Sequence, residues 1–321
     1  MRTSTVGRRR NSRGGIGLGV CIFLCSCLLH AQELRKNRCS SAGTAAQVET
    51  FELKSKIFDN TRTIRILLPP GYQRSRKRYP VFYINDGFAV FDAKSWNAPA
   101  IASNLMCRGA IRPLIFVGID NGATAANGSE AQRTKEYLPY VDLAEEPSVP
   151  KPQGSRYPEF LINEVMPAVS SRYRIKSGAE DLALGGASYG GLIALYTLIA
   201  RPGVFGKASL ESPSLFIADF NVLKEARTAT SWPKSIIVGI GGQETPNREI
   251  NLQARENMQR LCSIVRHRSP QTRCKVNYGP ADTHGSDSWQ RRLPSVLMFL
   301  WPPAPGKAER QKMFPLRRRG R

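Results

Sequence analysis

Gly186-Ala187-Ser188-Tyr189-Gly190 sets a serine between two glycines at the spacing G-x-S-x-G. A serine hydroxyl is a weak nucleophile at neutral pH. It becomes useful when its backbone lifts it clear of its surroundings and a base takes its proton. Two glycines and a serine at fixed spacing arise by chance roughly 0.1 times in a chain of this length, so context must carry the weight. An apolar strand, Leu182-Ala183-Leu184, precedes the motif and a helical pattern, Leu192-Ile193-Ala194-Leu195, follows it. That strand–turn–helix order is what an exposed nucleophile needs: the tight turn excludes side chains at Gly186 and Gly190, and the helix N-terminus faces developing negative charge.

Such a serine needs a base. Beyond residue 31 only His267 and His284 exist. His267 lies in the cationic run Arg266-His267-Arg268, which disfavours an imidazolium. His284 follows a strand and sits in the loop Asp282-Thr283-His284-Gly285-Ser286, the better place for a base. The carboxylate that orients it is expected on a loop after a strand between Ser188 and His284. Glu244, in Gly241-Gly242-Gln243-Glu244 after the apolar run 235–240, fits best. Asp282, two residues from His284, is its main rival, and Asp219 a weaker one. Two backbone N–H groups must receive the oxyanion. That of Tyr189 follows the serine, and that of Phe88 lies in Asn85-Asp86-Gly87-Phe88 after the run 80–84. Asp86 reads as a brace for this loop. No metal or cofactor is called for.

The elements around these residues read as follows. Strands are expected at 48–54, 63–68, 79–84, 114–119, 182–184, 235–240 and 276–278. Helices are expected across 160–169, 192–199, 250–265 and 293–301. Strands alternating with helices imply an α/β fold, a mostly parallel central sheet flanked by helices on both faces, with its site at the carboxyl ends of the strands.

The chain has 321 residues, 41% apolar and 22% charged, which excludes a disordered, collagen-like or polytopic membrane chain. Its net charge of +22 is concentrated at the ends. Residues 1–40 hold eight Lys/Arg against one Glu, and residues 302–321 seven against one, leaving +9 for the body. No basic, aromatic-interleaved face is visible, so no nucleic-acid partner is expected. A positive body favours anionic acyl groups as ligands. Residues 8–13 are basic and 16–29 almost unbroken apolar, the pattern of an export signal, with 1–31 removed. A periplasmic or secreted chain is expected; an uncleaved anchor, or a lipid on the Cys25/Cys27 segment, is the only membrane contact this pattern offers. Residues 32–44 read as linker, 45–303 as one domain, and 304–321 as a basic disordered tail. In an oxidising compartment Cys262 and Cys274, twelve residues apart, are placed either to pair or to remain two buried thiols.

Several stretches carry a family resemblance: Arg65-Ile66-Leu67-Leu68-Pro69-Pro70-Gly71-Tyr72, Tyr79-Pro80-Val81-Phe82-Tyr83-Ile84-Asn85-Asp86-Gly87, Val117-Gly118-Ile119-Asp120-Asn121, Arg133 with Glu136-Tyr137-Leu138-Pro139, 160–167, 185–191 and Arg201-Pro202-Gly203-Val204-Phe205-Gly206. Together they resemble the putative-esterase family of α/β-hydrolases, which includes esterase D-type, enterochelin-type siderophore, feruloyl and acetyl-xylan esterases. The resemblance spans about residues 50–301. It implies an α/β-hydrolase fold and a serine esterase with Ser188 as nucleophile, His284 as base, Glu244 as acid, and Phe88 and Tyr189 as oxyanion donors. It implies a small-molecule or carbohydrate ester as substrate, siderophore esters among them. Two features depart from the pattern: the first aromatic after the histidine is Trp289, and many members have Asp where Glu244 stands. A mycolyltransferase-type acyltransferase and a non-catalytic binding protein on the same fold are the alternatives. Tyr137, Tyr140, Trp96, Phe216 and Trp232 are candidates for an aromatic pocket or for the core.

Overall fold

The computed structural model describes residues 47–122, 130–142 and 151–303. The expected signal at 1–31, the linker at 32–44 and the tail at 304–321 lie outside the described residues. Eight strands form one sheet: β1 (Gln47–Ser55), β2 (Asn60–Leu68), β3 (Val81–Asn85), β4 (Ile115–Ile119), β5 (Leu182–Ala187), β6 (Lys207–Glu211), β7 (Ser235–Gln243) and β8 (Arg273–Thr283). Their spatial order is β1-β2-β4-β3-β5-β6-β7-β8. β1/β2 and β2/β4 pair antiparallel, and every later pair is parallel.

The inner strands β3, β4, β5 and β7 are buried on both faces over most of their length, so they read as apolar runs rather than alternating ones. Successive side chains still point to opposite faces. Tyr83, Val117, Leu184 and Val238 enter one core cluster, and their neighbours Phe82, Phe116, Ala183 and Ile237 enter the other. The first cluster is closed by α4 (Tyr157–Phe160), α5 (Met166–Ser170), α6 (Tyr189–Ala200), α7 (Ile217–Ala226) and α8 (Arg248–Arg268). A π-helical turn, Leu161–Val165, joins α4 to α5. The second cluster is closed by α1 (Gly87–Phe91), α2 (Ala98–Cys107) and α9 (Ser286–Leu300). A further helix, α3 (Glu130–Tyr137), follows β4 in the chain.

Helix α8 shows how the sequence builds a wall. The Asn247 side chain accepts from the N–H groups of Glu249 and Ile250, capping the start. Met258, Leu261, Cys262 and Val265 recur at helical spacing and are buried. Cys262 and Cys274 are joined as a disulfide, with a Cα–Cα distance of 5.4 Å, tying α8 to β8. Cys107 takes no part in this bridge.

Strand β6 and helices α1, α2, α3 and α7 are additions to the elements expected from sequence. The stretch Lys207-Ala-Ser-Leu-Glu211 reads as polar, yet all five residues are buried. Glu211 is neutralised by Arg292, 81 residues away, and the Lys207 ammonium lies over the ring of Trp301 and donates to the Glu180 carbonyl. Pattern reading has no access to partners so distant.

Candidate active site

Ser188 stands between the end of β5 and the start of α6 with φ 56° and ψ −125°. A non-glycine residue in this region is strained, and such strain clusters at functional sites. The turn requires its glycines. A Cβ on Gly186 would run into the Gly190 carbonyl, and one on Gly190 would lie 2.8 Å from an Asp86 carboxylate oxygen and 3.3 Å from the Asn85 Cβ. The Ser188 N–H donates to the Glu211 carbonyl at 3.0 Å, locking the turn to β6.

Glu244 follows β7 and His284 follows β8. The last paired rung of these strands is Gln243 opposite Thr283, after an irregularity between Gly241 and Gln243. The next residue on each strand is therefore Glu244 and His284. Glu244 Oε2 lies 2.6 Å from His284 Nδ1. The other oxygen, Oε1, accepts from the Ser212 hydroxyl at 2.7 Å and the Gly241 N–H at 2.5 Å. Burial pushes the Glu244 carboxyl up; the hydrogen bonds from His284, Ser212 and Gly241 outweigh it and hold the group below its ordinary value. The Glu244 side chain is 6% exposed and that of His284 38%, so the pair is shielded at the carboxylate and open at the imidazole.

Asp282 is engaged elsewhere. Its oxygens accept from Arg291 at 2.9 Å and from Arg292 at 2.5 Å, and Arg292 also binds the buried Glu211 at 2.8 Å. Asp219 pairs with Lys224 on the surface, with 85% of its side chain exposed. His267 lines a separate groove with Arg227, Arg260 and Arg268.

Ser188, Glu244 and His284 line one cavity of about 370 Å³ with Tyr189, Ser212 and Ser214. The Ser188 hydroxyl lies 3.4 Å from that of Ser214 and makes no hydrogen bond to His284 among the described residues. Both hydroxyls line the cavity that His284 also lines, and either of the two can donate to the other. Hydrogen bonds between a nucleophile and its base commonly tighten only once substrate is bound.

The loop at 85–88 packs directly on the elbow. Asn85 donates to the Gly190 carbonyl at 2.8 Å and accepts from the Tyr157 hydroxyl at 2.5 Å. Asp86, at φ 58°, receives both nitrogens of an Arg133 fork at 2.9 Å and the Asn121 amide at 2.5 Å, so it braces the loop as expected. Phe88 is the second residue of α1, and its N–H therefore has no acceptor within the helix. Phe88 lines a second pocket of about 160 Å³ with Trp96, Arg133, Ala187 and Trp289.

Three neighbours are given no role by the sequence, Trp289 being notable there only for its distance from the histidine. Ser212, at φ 42° just past β6, relays between Glu244 and the Trp289 indole N–H, which it accepts at 3.2 Å. Ser214 meets Ser188. Trp289 sets its ring edge against His284, with centroids 5.2 Å apart, supplying from one helical turn downstream the aromatic missing beside the histidine. Ser212-Pro213-Ser214 was the only local signal for the serines, and the strand before it was itself hidden. Of the candidate aromatics, Phe216 lines the larger cavity and Trp96 the smaller, whereas Tyr137 and Trp232 are core. Tyr140 is half-buried and donates to Glu225 at 2.7 Å. Among the described residues there is no cluster of metal-ligating side chains and no helix long and apolar enough to cross a membrane.

Sheet order, elbow and the clustering of loops at the strand ends define the class: an α/β-hydrolase fold. The chain belongs to the family described as Putative esterase, which matches residues 55–300, and is thus a carboxylic ester hydrolase by class. It is similar to the siderophore triacetylfusarinine C esterase of Aspergillus fumigatus, 32% identical over 160 residues, covering 48% of this chain and 51% of that one. It is also similar to the ferri-bacillibactin esterase BesA of Bacillus subtilis, 25% identical over 242 residues, covering 70% and 81%. The solved siderophore hydrolase EstA of Aspergillus nidulans shares the fold with a TM-score of 0.64, at 21% identity over 81% of this chain and 96% of that one.

Proposed function

We propose that this protein is a serine esterase that cleaves a small-molecule carboxylic ester through an acyl-enzyme. The observation that carries the reading is a strained serine at a helix N-terminus sharing a cavity with a carboxylate-bound imidazole. With an ester bound, rotation about the Ser188 Cα–Cβ bond exchanges Ser214 for His284 Nε2. Ser188 Oγ attacks the carbonyl carbon as His284 takes its proton, while Glu244 holds the imidazole in the tautomer with Nδ1–H and stabilises the imidazolium. The N–H groups of Phe88 and Tyr189 receive the oxyanion. The intermediate expels the alcohol, which leaves with the proton from His284. Water then adds to the acyl-enzyme, giving its proton to His284. The carboxylic acid departs and the proton returns to Ser188.

The relatives' names support a siderophore or comparable ester as the kind of molecule processed. The test is Ser188→Ala. It is expected to abolish turnover of p-nitrophenyl butyrate and labelling by a fluorophosphonate, with an unchanged circular dichroism spectrum. Turnover by pure Ser188→Ala at more than about a thousandth of the parent rate overturns the proposal.

A further inference from the structure

The larger cavity has a chemical bias that the net charge of the chain conceals. Its floor is Leu215, Ile240 and Met258, each 2% exposed, and its walls include Phe220 and Ala254. Phe216, 51% exposed, stands at its lip. Among the described residues no lysine or arginine lines it, and Glu244 is its only acidic residue. That carboxylate is already bound to His284. The positive charge of the body therefore lies elsewhere, and the anionic acyl group expected from composition finds no counter-charge here. The guanidinium at the site, Arg133, lines the separate smaller pocket and is held by Asp86. An acyl carboxylate placed in the large cavity would be desolvated beside Glu244 with no cation to offset it.

Orientation follows from exposure. The His284 side chain is 38% exposed, so an alcohol that takes its proton there has an open path to solvent. The other half of the ester then points inward. We infer that the 370 Å³ cavity is an acyl pocket for a neutral, apolar chain or ring, so that esters of uncharged aliphatic or aromatic acids are the preferred substrates. This inference rests on the Ser188 esterase reading.

The test uses the full chain and p-nitrophenyl esters from acetate to octanoate, with the p-nitrophenyl monoester of glutaric acid set against the neutral pentanoate. kcat/KM is expected to rise about fourfold per methylene up to hexanoate or beyond. The glutarate monoester is expected to fall at least about a hundredfold below pentanoate. Ala254→Phe, which fills the cavity, should move the optimum to shorter chains. Phe216→Ala, at the exposed lip where folding is little affected, should flatten the slope. A flat series, equal turnover of the charged monoester, or a chain-length preference found only in alkyl acetates overturns the acyl-pocket inference while Ser188 still labels with fluorophosphonate. Absence of both labelling and turnover overturns the esterase reading itself, and this inference with it.

Discussion

Replacing Glu244 by glutamine tests the geometry most sharply, because the shape is kept and one oxygen becomes a donor. Oε1 faces the Gly241 N–H at 2.5 Å and the Ser212 hydroxyl at 2.7 Å. The Gly241 N–H is fixed by the backbone and can only donate. The amide oxygen of the substituted side chain must stay there, and its NH2 must turn toward His284 Nδ1, which lies 2.6 Å from the carboxylate in the parent. An NH2 facing Nδ1 forces the imidazole proton onto Nε2, the nitrogen that has to accept from Ser188. The imidazolium also loses its counter-charge, at a site where the carboxylate is only 6% exposed and water screens little. A wrong tautomer of this kind lowers kcat by about 10⁴, or about 5 kcal/mol of barrier. Steady-state kinetics on p-nitrophenyl butyrate read the loss, and ¹⁵N NMR of the imidazole reads the tautomer. Asp282→Asn is the control. Asp282 meets Arg291 and Arg292 rather than the ring, so kcat there should stay within about tenfold. Glu244→Gln within tenfold of the parent, or Asp282→Asn as damaging as Glu244→Gln in a folded protein, refutes the reasoning.

Gly87→Ala should lower kcat about 10²–10³-fold, because a Cβ there would meet the backbone of β4 at 2.5 Å from Gly118 C and 2.8 Å from Ile119 N, displacing the Phe88 N–H; kinetics on folded variant decide it, and an unchanged kcat removes Phe88 as a donor. Replacing both Cys262 and Cys274 by alanine should cost about 3 kcal/mol, the constraint of a twelve-residue closure, read from urea midpoints. Arg292→Leu leaves the buried Glu211 without its cation, while Asp282 keeps Arg291, and should cost about 3–5 kcal/mol by the same measurement. The Glu244 and Asp282 carboxyls sit below their ordinary values when folded, so their stabilisation is complete above the usual carboxylate range near ~4 and is lost as pH falls through the folded values. Urea midpoints should therefore drop on acidification, and less steeply in Asp282→Asn.

Local chemistry made much of this protein legible from its residues. Gly186, Ser188 and Gly190 lie within one turn, and the strand before and the helix after them are written in adjacent residues, so the elbow needed no distant information. The scarcity of histidines pointed to His284, and helical spacing exposed α8. Tertiary structure decided whatever depends on partners far along the chain. Which carboxylate lies beside His284 is set by the β7/β8 register, where an irregularity at Gly241/Gln243 brings residue 244 next to residue 284 and Asp282 is taken by Arg291 and Arg292. Strand β6 was hidden because the charges of Lys207 and Glu211 look exposed until Arg292 and Trp301 arrive from the last helix and the residue after it. The acyl preference was hidden for the same reason: net charge is a sum over residues, whereas a cavity feels only those that fold against it.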